Sequence, residues 1–284
     1  MVLFPNCKIN LGLHVLEKRT DGYHNLETVF FPLSLKDALE INACPVLKHI
    51  PPQEFELNIS GLPIPGDPSS NLCTKAWQLI KKDFPGIPPV KMHLLKAIPP
   101  GGGLAGGSSN GAFTLMLLNE LFDLKIGRQQ LMNYALRLGS DCPFFIVNKP
   151  CFASGRGELL EDVQVDLSRY KFVLVHPGIH IDTAWAFSRI GSPHHSKPLK
   201  DVIQRPVTSW KNELVNDFEA PVFAEYHALA KIKESLYTAG AEYASLTGTG
   251  SCVFGIFHKD ANVSGLDFGG EYKVYHLHPG SPAF

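Results

Sequence analysis

The sequence predicts an α+β fold, and two observations carry that expectation. Apolar residues alternate with period two near the N-terminus and recur at helical spacing further on. Strands and helices intermix without the regular βαβα order of a doubly wound sheet. The chain has 284 residues, 44% hydrophobic and 19% charged, enough for one large or two ordinary domains. Its net charge of −1 argues against a nucleic-acid or membrane-surface binder driven by bulk charge.

The first element is clear. Ile9, Leu11, Leu13 and Val15 share one face of residues 8–16, and Lys8, Asn10, Gly12 and His14 share the other. That is a half-buried strand with a polar face. Asp21-Gly22 signals a turn, and 23–33, 38–43 and 54–59 continue as strands, with a proline-rich loop around Pro51-Pro52. An amphipathic helix is expected over 71–83 and a strand over 90–98. Residues 111–122 are apolar nearly all round, the mark of a buried helix. A helix over 128–138 ends at Gly139, and 148–157 turns to loop and strand. Further on, 172–175 reads as a short strand, 211–218 and 224–239 as helices, and 245–257 as a glycine turn followed by a strand. The stretch 192–205 reads as a polar loop with basic residues.

Between the strand at 90–98 and the buried helix runs Pro99-Pro100-Gly101-Gly102-Gly103-Leu104-Ala105-Gly106-Gly107-Ser108-Ser109-Asn110. Glycines permit positive φ and close approach of backbone N–H groups to a ligand. Ser108, Ser109 or Asn110 is available to cap the helix, whose N-terminus favours an anion. The loop is therefore expected to hold phosphates. It is not a Walker loop: Gly102 and Gly107 have the spacing, but Ser108 stands where that motif needs lysine. Gly101, Gly103 and Gly106 match a dinucleotide fingerprint by letter only. Glu120 and Asp123 lie in or at the end of the helical run, and no second strand intervenes.

Other residues carry two readings on pattern alone. Asp141, ahead of Cys142-Pro143, reads as an N-cap. Lys8 reads as a solvated lysine, Tyr23 as a strand aromatic and Phe187 as core. The six cysteines (Cys7, Cys44, Cys73, Cys142, Cys151, Cys252) form no C-x-x-C pair or zinc spacing, and His194-His195 has no zinc spacing either. Reduced thiols and the absence of a leader or membrane-length apolar run give a cytoplasmic expectation.

Three segments, taken in order, resemble the motifs of the GHMP kinases. They are Pro5-Asn6-Cys7-Lys8-Ile9-Asn10-Leu11, the glycine loop, and Leu246-Thr247-Gly248-Thr249-Gly250-Ser251. Asp21-Gly22-Tyr23-His24, Gly139-Ser140-Asp141-Cys142-Pro143-Phe144 and His176-Pro177-Gly178 are similar to the branch acting on 4-diphosphocytidyl-2-C-methyl-D-erythritol. That branch serves the non-mevalonate route to isoprenoid precursors. Two departures stand out: Ala105 sits where the family often has glycine, and a cysteine adjoins both Lys8 and Asp141. Ala105 is expected to need a right-handed or extended backbone, and the cysteines to be bystanders.

The resemblance implies a two-domain α+β fold, 1–152 and 153–284, with the active site in the cleft between the domains. It implies ATP with Mg2+, the nucleotide held by Lys96 and by Pro99, Pro100, Gly101, Gly102, Gly103, Leu104, Ala105, Gly106, Gly107, Ser108 and Ser109. Asp141 becomes the base for the acceptor hydroxyl, with Lys8 beside it favouring the ionised carboxylate. Tyr23, His24 and Phe187 become the cytidine site, where two aromatic faces sandwich the pyrimidine and a ring nitrogen or the neighbouring backbone reads its edge. Asn10, Thr183, Gly248, Thr249 and Gly250 become contacts to the rest of the acceptor. The partner implied is thus a small molecule, cytidine diphosphate methylerythritol, with no nucleic acid, no membrane, no obligate protein partner and no protein-held metal assigned. The alternatives are a GHMP kinase for homoserine, mevalonate or a sugar, and a non-catalytic nucleotide-binding protein on the same fold.

Overall fold

The computed structural model describes residues 1–44, 54–191, 197–269 and 271–279. The loop at Pro51-Pro52 and the pair His194-His195 lie outside the described residues.

Three four-stranded sheets organise the described residues. The first runs β1 (Val2–Leu3), β4 (Ala38–Ala43), β6 (Val90–Lys96), β5 (Phe55–Gly61), with β5 and β6 parallel. The second runs β2 (Asn6–Lys18), β3 (His24–Lys36), β7 (Cys151–Ser154), β8 (Leu159–Asp162), all antiparallel. The third runs β10 (Tyr243–Leu246), β11 (Val253–His258), β9 (Tyr170–His176), β12 (Lys273–Leu277). Helices α1 (Leu72–Asp83), α2 (Gly106–Leu121), α3 (Arg128–Leu138) and α4 (Cys142–Val147) belong to the first half. Helices α5 (Thr183–Ser188), α6 (Leu199–Ile203), α7 (Glu219–Glu225) and α8 (His227–Thr238) belong to the second.

The alternation read at 8–16 is present, but its polar face does not meet water. Lys8, Asn10 and His14 are all buried along with Ile9 and Leu11. The second sheet is covered on both sides. Ile9, Leu11, Val29 and Phe31 pack with Phe172, Leu174 and Phe254 of the third sheet. Phe30 and Ala153 point the other way, into a core with Met92, Phe113 and Phe144. A third core joins Val173, Val175 and Phe257 to Leu229, Ile232 and Leu236 of α8. The two halves are thus welded across β2 and β3 by apolar area removed from water, roughly 25 cal/mol per Å2.

Several expectations are corrected. The helix expected over 211–218 is instead a 3-10 turn at Val207–Asn212, then a turn and a single bridge from Asn216 to Leu13. Leu13 N–H donates to Val215 O at 2.9 Å and Asp217 N–H to Leu13 O at 2.9 Å. Pairing with β2 overrides the helical spacing of Trp210, Leu214 and Phe218. The helix expected over 224–239 breaks at Tyr226 (φ −114°, ψ 73°), giving α7 and α8. Within 192–205, the described part folds as α6, with Leu199, Val202 and Ile203 buried. Residues 152 and 153 both lie in β7, and β8 continues the same sheet to Asp162.

Candidate active site

A cleft of about 1200 Å3 lies between the halves, with Lys8, Asp141 and the glycine loop on one side and Gly248, Thr249 and Gly250 on the other. The loop owes its glycines to neighbours distant in sequence. A Cβ on Gly102 would stand 2.6 Å from Cys252 Sγ, and one on Gly103 would stand 2.0 Å from Thr247 O. Gly103 also has φ +77°, open to glycine without strain. Cys252 N–H donates to Gly102 O at 3.2 Å, and Thr247 Oγ1 donates to Gly103 O at 3.2 Å. The His176-Pro177-Gly178 segment backs the same loop, with His176 Cδ2 3.2 Å from a Cβ built on Gly102.

Helix α2 starts at Gly106, five residues ahead of the expected apolar run, and its N-cap is Ala105 rather than a serine. Ala105 is left-handed (φ 53°, ψ 30°), which overturns the expected right-handed or extended backbone. The first intrahelical bond is Ser109 N–H to Ala105 O at 2.9 Å. Gly106, Gly107 and Ser108 therefore have N–H groups with no intrahelical acceptor, at the positive end of the dipole. A Cβ on Gly107 would meet nothing within 4 Å, so the loop is open there. An anion has room to meet those amides. Ser109 does not share in this: it is fully buried, its hydroxyl faces no partner, and its N–H is already used. Leu104 is buried too, its carbonyl accepting from Lys8 N–H at 3.1 Å.

Lys8 and Asp141 are brought together, Nζ to Oδ2 at 3.5 Å, with the lysine side chain 4% exposed and the aspartate 33%. The ammonium also donates to Asn10 Oδ1 at 2.7 Å and Gly103 O at 3.2 Å, and lies 5.0 Å from the centre of the Phe30 ring. Burial draws the Lys8 pKa down, while the charge and hydrogen bond of Asp141 act against that fall. Asp141 occupies the N-cap position of α4, but its side chain makes no capping bond. Its carboxylate is left for the cleft. The neighbouring thiols are inert: burial pushes both Cys7 and Cys142 up to about 12.

Asn10 is spent on the scaffold. Its N–H donates to Thr247 Oγ1 at 3.1 Å, its Nδ2 to Thr28 Oγ1 at 2.9 Å, and its Oδ1 receives Lys8. Lys96 is likewise committed, in a buried ion pair with Asp37 and a 3.1 Å bond to Asn110 Oδ1. Asp37 Oδ1 accepts the N–H groups of Ala97 (2.7 Å) and Ile98 (2.9 Å), so the group fixes where the strand leaves for the glycine loop. The sequence reading missed Asp37, which has no local signal because its partners lie about sixty positions away.

At the other end of the cleft lie Tyr23, His24, Thr183 and Phe187, the last two on α5. His24 and Phe187 stack on each other, centroids 5.0 Å apart and planes at 17°. A ring inserted between two others needs them about 7 Å apart, twice the carbon–carbon contact distance. A base reaches that face of Phe187 only when His24 turns aside. Tyr23 is 55% exposed, with the Arg156 guanidinium 4.8 Å from its ring centre. Arg156 was also missed. Its signal was the Gly155-Arg156-Gly157 run inside the stretch read as loop and strand.

The sequence matches two family descriptions, GHMP kinases N terminal domain over 71–149 and GHMP kinases C terminal over 200–265. The chain is 48% identical over 268 residues to 4-diphosphocytidyl-2-C-methyl-D-erythritol kinase of Bacteroides fragilis, covering 94% of this chain and 96% of that protein. A relative of the same name from Cytophaga hutchinsonii is 46% identical, over 91% of this chain and 93% of its own. Among solved structures, 4-(cytidine 5'-diphospho)-2C-methyl-D-erythritol kinase superposes with TM-score 0.79 at 26% identity, covering 99% of this chain and 100% of the other. Mevalonate kinase of Methanococcus jannaschii shares the fold, with TM-score 0.71 at 12% identity over 99% and 98%. The chain belongs to the GHMP kinase family.

Proposed function

We propose that this kinase transfers the γ-phosphoryl group of ATP to the 2-hydroxyl of 4-diphosphocytidyl-2-C-methyl-D-erythritol. The names of relatives sharing nearly half of its residues support that acceptor. The observation that carries the reading is the Lys8–Asp141 pair, lying in one cleft with the open amides of α2 and with the Tyr23, His24 and Phe187 aromatics.

ATP enters with Mg2+ as a substrate complex, its phosphates against the N–H groups of Gly106, Gly107 and Ser108. Asp141 takes the proton of the acceptor hydroxyl as that oxygen bonds to the γ-phosphorus. The bond to the bridging oxygen breaks, and ADP leaves with its electrons. Lys8, held by Asn10 and Gly103, keeps positive charge beside both the carboxylate and the incoming oxygen. Little covalent work falls to the protein in such a transfer, so rate comes from alignment and charge neutralisation. Gly248, Thr249 and Gly250 face the acceptor's diphosphate from the second half, Thr183 lies beside it, and the aromatic group takes the cytosine.

We read the chain as two domains that meet at this cleft, with the changeover after Asp162, where the second sheet ends. The six free thiols support work in a reducing compartment such as the cytoplasm. Among the described residues no helix is long and apolar enough to cross a membrane.

The test is ADP release with 4-diphosphocytidyl-methylerythritol, mevalonate and homoserine as acceptors. Selective turnover of the first is expected. Turnover on another alcohol alone overturns the acceptor, and ATP binding without turnover on any of them overturns the catalytic reading.

A further inference from the structure

The turn joining β7 to β8 forms a wall of the cleft that the family motifs do not include. Leu26 N–H donates to Gly155 O at 2.7 Å, which ties the turn to β3 just beyond Tyr23 and His24. At its far side, a Cβ on Gly157 would stand 3.4 Å from Phe30 Cζ and 3.7 Å from Asp141 Oδ1. One short turn therefore reaches from the aromatic group to the carboxylate. Arg156 is its only charged side chain facing the cleft among the lining residues.

The Arg156 guanidinium lies over the Tyr23 ring at 4.8 Å, within the range for a cation–π contact. Its other partners are protein groups. The Arg156 backbone N–H donates to Glu158 Oε2 at 2.6 Å, and the guanidinium Nε lies 3.6 Å from Glu158 Oε1. Asp21, on the neighbouring turn, feels the same charge. Partial desolvation pushes the Asp21 carboxyl up, but the Tyr23 amide, Arg19 and Arg156 hold it below its ordinary value. Asp21 Oδ1 also accepts Tyr23 N–H at 3.1 Å, and Arg19 N–H donates to Tyr23 O at 2.7 Å. The Tyr23 backbone is thus fixed by its own turn, and its ring lies against Arg156.

We propose that Arg156 is a positioning residue for the acceptor's pyrimidine, covering one face of the Tyr23 ring and holding that exposed ring ready as a stacking platform. An exposed tyrosine free to turn would lose rotamer freedom on binding, and a ring already held loses less. The guanidinium lies against the Tyr23 ring, with Nε turned toward Glu158, and its proposed action is through that ring. This inference rests on the cytidine-linked acceptor proposed above.

The experiment is titration calorimetry with cytidine 5'-diphosphate, and separately with MgATP, on the wild-type chain, Arg156→Met, Arg156→Lys, Tyr23→Ala and the double variant Arg156→Met/Tyr23→Ala. Ordering one freed side chain on binding corresponds to about two- to tenfold in affinity. Arg156→Met is expected to weaken cytidine 5'-diphosphate by that factor and leave MgATP unchanged. Arg156→Lys keeps a cation over the ring and is expected to recover most of the loss. On the Tyr23→Ala background, Arg156→Met is expected to add nothing. A fully additive double variant overturns action through Tyr23, and an equal loss for both nucleotides overturns a positioning role in favour of general support of the fold. Unchanged cytidine 5'-diphosphate binding in Arg156→Met, where the wild type binds, overturns the inference alone. Wild type that binds MgATP but not cytidine 5'-diphosphate overturns the acceptor reading and this inference with it.

Discussion

Gly103 and Thr247 meet so closely that a methyl group on the first would stand 2.0 Å from the carbonyl oxygen of the second. This contact joins the glycine loop to the turn from the second half of the chain. Gly103→Ala forces the loop and the turn apart and places alanine at φ +77°. Overpacking costs about 1–3 kcal/mol and the left-handed backbone about 1–2 more. We expect a loss on the order of 2–5 kcal/mol in urea unfolding. A variant as stable as the parent would show that the loop moves aside without cost.

Ala105 tests the opposite sign. It is left-handed at φ 53° with no side-chain cap to compensate. Removing its Cβ relieves about 1–2 kcal/mol, against about 0.5–1 kcal/mol of extra chain entropy lost by glycine. Ala105→Gly is therefore expected to raise Tm slightly, whereas glycine inside a helix ordinarily lowers it. A lowered Tm would mean that Ala105 is not strained in solution.

Asp141 stands at an N-cap without capping, 3.5 Å from Lys8 and one-third exposed to the cleft. Asp141→Asn should keep the fold and the KM for ATP and reduce kcat by about 10²–10⁴, the range for a positioned base. Near-parental turnover would remove it from the chemistry.

Lys8 separates activity from stability along the pH axis. Burial lowers its pKa from 10.5 in the folded chain, with Asp141 opposing. Between the two values the unfolded chain binds the extra proton, so this group's contribution to stability rises with pH across that window. Activity moves the other way, because the ammonium beside Asp141 is lost. An alkaline fall in kcat centred below 10.5 is expected, without a matching fall in stability from this group. In Lys8→Arg, whose cation does not titrate in that range, the residual kcat should lack the fall. A limb that persists unchanged belongs to another group.

Much of the site was legible without coordinates, because its signals are local. Five glycines before an apolar run announce a loop opening a helix, and α2 follows it. Alternation at 8–16 put Lys8 and Asn10 on one face, and both line the cleft. Asn71 caps α1 through a 2.9 Å bond to Cys73 N–H, as short-range chemistry predicts. The errors fall where distant segments decide the outcome. The chain from Leu214 to Asp217 has helical spacing yet pairs with β2, two hundred positions earlier.

The sequence by itself determined most of the element types, the glycine loop that opens a buried helix and the family, since these depend on residues adjacent along the chain. Only the tertiary structure decided why Gly102 and Gly103 must be glycine. It also buried the polar face of β2, paired Lys96 with Asp37 and laid Arg156 on Tyr23. The physical reason is common to all of these. Each is a close approach or charge pairing between segments far apart in sequence, and its energy exists only once both have been brought to the same place.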